Sequence, residues 1–159
     1  MIARSRSRDV PLKPECIDVR RAFFHGPARR QVVVELPPED VEEGMCGEPL
    51  KAMYGARNAP ENWEWAYWQF LLRIGFIRGT SSPCFFTHAD RNQRLVVHGD
   101  DFTVLGWEQA LAWFWKTISD KFQSKHRGRI GPAHSDKKEM RILNRIVTWN
   151  SEGLTYEAD

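Results

Sequence analysis

The stretch RLVVHGDDFTVLG, residues 94 to 106, sets the tightest limit on what this chain can become. Two runs of β-forming residues flank Gly99 and a pair of adjacent carboxylates, Asp100 and Asp101. Glycine lets the backbone turn sharply, so the stretch reads as strand, turn, strand. Like charges this close disfavour each other's ionisation. The pair is therefore either solvated at a hairpin tip or held by a cation. Gly-Asp is common turn chemistry, and the pattern alone leaves both readings open.

The other periodicities supply the architecture around that hairpin. ECIDV (15–19) reads as a short strand ending near Asp18, and RRAFFHG as a turn or a single helical turn broken by Gly26-Pro27. RQVVVELP (30–37) reads as a second strand stopped by Pro37-Pro38, followed by an acidic loop. From Pro60 the period changes: Trp63, Ala66, Tyr67, Phe70, Leu71 and Ile74 form the stripe of an amphipathic helix that Gly75 ends. Asn58 or Ala59 would cap it, and Trp65 and Trp68 lie off the stripe, implying contacts on two sides. CFFTH and RLVVHG are strands, FTVLG is a third, and Leu111, Phe114, Trp115, Ile118 and Phe122 mark a second helix over about 107–123. Residues 125–138 read as a loop, and MRILNRIVTW and LTYEA as a hairpin closed by NSEG. A sheet that is largely antiparallel, packed against two amphipathic helices, is an α+β fold.

Length and composition narrow the class. A chain of 159 residues with 42% hydrophobic residues suits one domain with a real core. No apolar run approaches the roughly 20 residues that cross a bilayer, and the basic start lacks the apolar segment of a signal peptide, so no membrane partner and no secretion are expected. Cys16, Cys46 and Cys84 are widely spaced with no CxxC, which disfavours disulfides or zinc and fits an intracellular setting, cytoplasm or nucleus. Charge is uneven: residues 1–30 carry eight Lys/Arg against three Asp/Glu, residues 31–64 two against eight, and residues 116–141 eight against three. Such blocks are ordinary solvated surface or, around a carboxylate centre, suit a polyanionic substrate.

If Asp18 and the hairpin are sheet neighbours, three carboxylates meet at one sheet edge. All-oxygen donors favour Mg²⁺ or Mn²⁺ over zinc. The five histidines show no ligand spacing.

Four segments resemble the copia-type retrotransposon reverse transcriptases, in that family's order and spacing. IDVRRAFFHG is similar to its DVKxAFLxG element, PLKAMYGARNAPENWEWAY to LxKALYGLKQAPRxWY, GFIRGTSSPCFF to GFxxSxxDPCLY, and LVVHGDDFTVLG to strand–YVDD–strand. MRILNRIVTWNSEGLTYEAD resembles the primer-grip hairpin that follows. The resemblance covers about residues 15–159. It implies a polymerase palm performing RNA-directed DNA synthesis, with deoxynucleoside triphosphates and a primed RNA or DNA template as partners and Mg²⁺ (or Mn²⁺) as cofactor.

By that resemblance Asp18 is the first metal-binding carboxylate and Val19 offers a backbone carbonyl to the second ion. Asp100 would bridge both ions, with Asp101 the weaker third carboxylate. Phe23 would lie beneath the sugar and exclude a 2′-hydroxyl, leaving Phe24 as the core member of the two. Asn58, Ala59 and Pro60 would lie beside the incoming base, and Arg57 would contact phosphate. His98 and Gly99 replace the family's Tyr-Val next to the primer end. Trp63, Trp107 and Trp115 are expected in the core rather than stacked on bases, and the basic stretch Lys116 to Arg141 would touch template or primer backbone.

Departures from the pattern bear on activity. Few residues precede Asp18, so residues 1–14 are expected to be an arm or a remnant of the fingers. Residues 15–159 are then a palm domain with incomplete fingers and without thumb or RNase H. A non-catalytic relic of the same fold is the alternative, expected to fail at primer extension. An unrelated metal-dependent phosphoesterase using the same acids is the more distant one, with His98 its single nearby candidate.

Overall fold

The structure, a computed structural model, describes residues 12–158; the arm expected over 1–14 falls almost wholly outside them. The chain divides into two compact units, one formed by the segments up to Arg20 and from Phe76 onward, the other by Arg21–Gly75.

The first unit is built on alternation. Strand β1 (Lys13–Val19) is an interior strand of a six-stranded sheet that also contains β2 (Ile77–Arg78), β3 (Phe85–His88), β4 (Gln93–His98), β5 (Asp101–Gly106) and β6 (Ser124–Arg129). The strand order is β2-β3-β4-β5-β1-β6, and every pairing is antiparallel. Every second residue of β5 is buried. Cross-strand partners share a face, and Ile17↔Phe102, Val97↔Phe102, Leu95↔Val104 and Phe86↔Leu95 are all buried pairs. Helix α2 (Glu108–Lys121) packs against β5, β6 and β1, and buries Leu111, Phe114 and Ile118. Phe114 meets Phe76 edge-on at 5.5 Å. The fold class is therefore α+β with a mostly antiparallel sheet, as the periodicities require.

A second sheet, β7 (Glu139–Ile142), β8 (Arg145–Asn150) and β9 (Gly153–Ala158), belongs to the same unit. Ile142, Val147, Trp149 and Leu154 from it pack on a buried cluster of Cys16, Ile130 and Met140. The small sheet thereby covers the middle of β1 at Cys16. Burial pushes the Cys16 thiol up to about 11, against a weaker opposing hydrogen bond with Thr103. Cys46 and Cys84 are exposed. A thiol reagent at pH 8 should thus modify two cysteines quickly and the third only after denaturant, because the thiolate is the nucleophile; three fast thiols in the native chain would contradict this packing.

Among the described residues, the second unit holds two short 3₁₀ segments (Ala22–His25 and Pro38–Asp40) and helix α1 (Ala59–Arg73). Pro60 fits the first turn, and Asn58 stands at the N-cap position without a capping side-chain bond. The stripe residues Trp63, Tyr67, Phe70 and Leu71 are buried. Gly26 is required where the turn crosses α1: a Cβ there would lie 2.9 Å from backbone atoms of Asn62 and Trp63. Trp65 lies beneath the Arg29 guanidinium at 5.3 Å, one of the off-stripe contacts.

Several expectations need correction. Residues 30–37 are not a strand: Val34 alone exchanges bonds with Gly47, at 2.9 Å each way, and the flanking residues find no ladder partner. Residues 125–138 are not all loop, because Ser124–Arg129 is the edge strand β6 beside β1. MRILNRIVTW is two strands rather than one, turned at Leu143 and Asn144, both at positive φ (49° and 56°), the twist of a type I′ hairpin. Trp107 and Trp115 are half-buried, whereas Trp63 is fully buried as expected. Trp107 precedes α2 rather than joining its stripe, and Trp115 lies 5.0 Å from the His126 ring. Phe24 is 40% exposed and contacts Tyr54, so it is not the core member of its pair.

Candidate functional site

The hairpin at Gly99 is tight. His98 pairs with Asp101 across it, and Gly99 holds φ +61° at the first central position, glycine's place in a type II′ turn. On the other side of β5, Asp101 is the direct cross-strand partner of Asp18. The Val19 N–H donates to the Asp100 carbonyl at 2.9 Å, fixing the turn against the end of β1. Opposed residues in antiparallel strands have Cβ atoms about 4.5–5.5 Å apart. Two carboxylates separated by about half of the chain thus share one face of the sheet, opposite the buried face that carries Ile17 and Phe102. Asp18 and Asp101 are half-buried, and Asp100 and His98 are exposed. Asp101, rather than Asp100, is the acid aligned with Asp18.

Cations stand on the other flank. Lys125 is the partner of Asp18 on β6, and Arg127 Nη1 donates to Asp101 Oδ1 at 3.1 Å. Behind the same strand lies a charged cluster. Glu15 is fully buried and accepts from Arg129 Nε at 2.9 Å, with His126 Nε2 at 2.5 Å from the same oxygen. Arg129 continues to Glu108, and Lys13 Nζ bonds Glu108 at 2.7 Å and Asp136 at 2.8 Å. Lys13's hydrogen bond lowers the Glu108 carboxyl below its ordinary range, ahead of the opposing effect of burial.

Among the described residues no three His, Cys, Asp or Glu side chains converge on a point where they could hold a metal ion. Mg²⁺, however, is usually held by one or two carboxylates together with substrate phosphates and water. Asp18 and Asp101 supply that smaller donor set. The residues fit an ion shared with a substrate and do not form an all-protein cage.

Phe23, Arg57, Asn58, Ala59 and Pro60 belong to the second unit. The Phe23 ring lies 4.6 Å from the Tyr54 ring, tilted by 40°. Asn58 lines a cavity of about 250 Å³ with Val34, Ala52, Tyr54 and Asn62. Asn62 is buried, and its Nδ2 has no partner among the described residues. Ala59 is fully buried, and Pro60 and Arg57 are exposed. Sequence reasoning missed Tyr54, Asn62 and Arg127. Asn62 is polar on a buried helix face, and Arg127 was visible only as one member of a basic block.

No protein-family profile matches the chain. It is similar to the "Retrovirus-related Pol polyprotein from transposon TNT 1-94" of Nicotiana tabacum, 26% identical over 136 residues, which cover 81% of this chain and 10% of that protein. It is also similar to the "Retrovirus-related Pol polyprotein from transposon RE1" of Arabidopsis thaliana, 29% identical over 102 residues, 60% of this chain and 7% of that protein. The corresponding polyprotein from transposon RE2 of the same plant is 28% identical over 102 residues. The chain spans a tenth or less of the length of these curated relatives. What it resembles is a region of transposon-encoded Pol polyproteins. No helix among the described residues is long and apolar enough to cross a membrane.

Proposed function

We propose that residues 15–159 are the palm region of a copia-type reverse transcriptase, an RNA-directed DNA polymerase that adds deoxynucleotides to a primer 3′-hydroxyl. The observation that carries this reading is the cross-strand register of Asp18 with Asp101, locked by the Val19–Asp100 backbone bond. The motif order and the likeness to transposon Pol polyproteins support it from the sequence side.

In this reading Asp18, Asp101 and Asp100, with the Val19 carbonyl, are the groups that hold Mg²⁺ or Mn²⁺. Such ions supply a lowered pKa at the attacking hydroxyl and neutralise charge on the triphosphate. The chain's own part is placement. The rigid two-residue turn at Gly99 sets the acids at the sheet edge, and the buried pairs Ile17↔Phe102 and Val97↔Phe102 prevent the register from slipping, which would turn Asp101 to the other face. His98 and Gly99 stand at the turn where a primer end is expected. Phe23, Arg57, Asn58, Ala59 and Pro60 keep the nucleotide and template roles that the resemblance implies.

Calorimetric titration of the full chain with Mn²⁺ tests the proposal. Asp18→Asn and Asp101→Asn should each weaken binding about tenfold or more, while Asp90→Asn, at an exposed turn, should leave it unchanged. Equal binding by all four proteins would remove the metal claim. Primer extension on an RNA template then separates a working polymerase from an inactive relic of the same fold.

A further inference from the structure

We infer that Arg127 is a resident counter-cation of the carboxylate pair, one that divalent metal must displace and that keeps metal affinity low. The inference rests on the polymerase reading of that pair and adds a residue to it.

The geometry begins with an irregularity in the ladder. Cys16 pairs with Gly128 and Ile17 with His126, so Arg127 is a surplus residue in β6 with no partner on β1. Bulges of this kind re-aim a side chain beside a site. Gly128, next in the chain, takes φ +127°, and a Cβ there would lie 2.9 Å from Lys137 Cε. The bulge is thus held open by a glycine that no other residue replaces without strain.

The re-aimed guanidinium reaches Asp101 Oδ1 at 3.1 Å. Both side chains are partly exposed, Arg127 at 38% and Asp101 at 33%, so a small ion can enter beside them. A guanidinium keeps its charge throughout the accessible pH range. Asp101 is therefore already neutralised before any metal arrives, at an edge where Asp18 and Asp101 would otherwise repel each other. The same positive charge acts on the neighbouring Cys16 thiol, opposing the effect of burial. A divalent ion binding between the acids loses one carboxylate to Arg127 and meets a positive charge close by. This accounts for a pair of acids that stays paired and folded without an all-protein metal cage.

Mn²⁺ titration of the full chain decides it, alongside circular dichroism to check folding. Arg127→Gln should bind Mn²⁺ about three- to tenfold more tightly than the parent, the loss of one partly screened ion pair plus one repulsive charge. Arg127→Lys should stay within about twofold of the parent. A purely structural role predicts the opposite sign, since loosening the site weakens binding. Arg127→Met, which keeps the aliphatic stem, carries the test if the glutamine variant does not fold. Unchanged or weaker binding by a folded variant, with Asp18→Asn still lowering affinity in the parent, overturns the inference and leaves the carboxylate reading standing. Binding that is independent of Asp18 in both parent and variant overturns both.

Discussion

Replacing Glu15 with alanine should cost about 3–5 kcal/mol of stability, the scale for breaking a buried ion pair on one side. The carboxylate is fully buried on strand β1, and one of its oxygens holds both Arg129 Nε and the His126 ring nitrogen. Without it, Arg129 keeps Glu108 alone among the described residues, and the interior gains a void beside a cation. Glu15→Leu with Arg129→Leu should recover part of the loss, because removing both partners leaves no uncompensated charge. Urea denaturation reads this directly. A Glu15→Ala midpoint equal to that of the parent would mean that the cluster is not tied to the folded state.

Truncating Phe102 to alanine should be as damaging, at about 3–5 kcal/mol, the range for emptying a buried aromatic site. Phe102 is fully buried and stands opposite both Ile17 and Val97, so it joins three neighbouring strands on the covered face. It is also the residue next to Asp101. Its removal should therefore weaken Mn²⁺ binding as well as stability, whereas an equally destabilising substitution in the other unit, such as Trp63→Ala on α1, should spare metal affinity. Stability loss without any change in Mn²⁺ binding would separate register from site.

What was legible in the chain follows from how local each signal is. The hairpin at Gly99 was readable because a positive-φ glycine between two apolar runs is a short-range instruction. Helix α1 was readable because its stripe persists over three turns. The meeting of Asp18 with the hairpin acids was reached only as a conditional on the two elements being sheet neighbours, since no local pattern links residues so far apart, and its register with Asp101 came from the structure. Strand β6 was hidden because SKHRGR carries no β-branched or aromatic residue, and its place beside β1 comes from tertiary pairing. The opposite error occurred at residues 30–37, where the β-branched run Val32–Val34 before Pro37 imitates a strand but, among the described residues, a bridge of Val34 to Gly47 is all that forms. The turn at Leu143-Asn144 has a leucine at positive φ, a choice that turn chemistry does not announce. Arg127 was invisible as an individual because a bulge, rather than its sequence neighbours, determines where it reaches.

Strand β1, flanked by strands from late in the chain, has a further consequence during synthesis. Cys16 meets Thr103 across an 87-residue interval, and Glu15 meets His126 across 111. As the chain leaves the ribosome, β1 emerges long before either flanking strand exists, with both of its edges unsatisfied. Loop closure over such distances is slow, so β1 keeps open edges through much of synthesis, and the two acids can come together only once β5, which ends at Gly106, has been made.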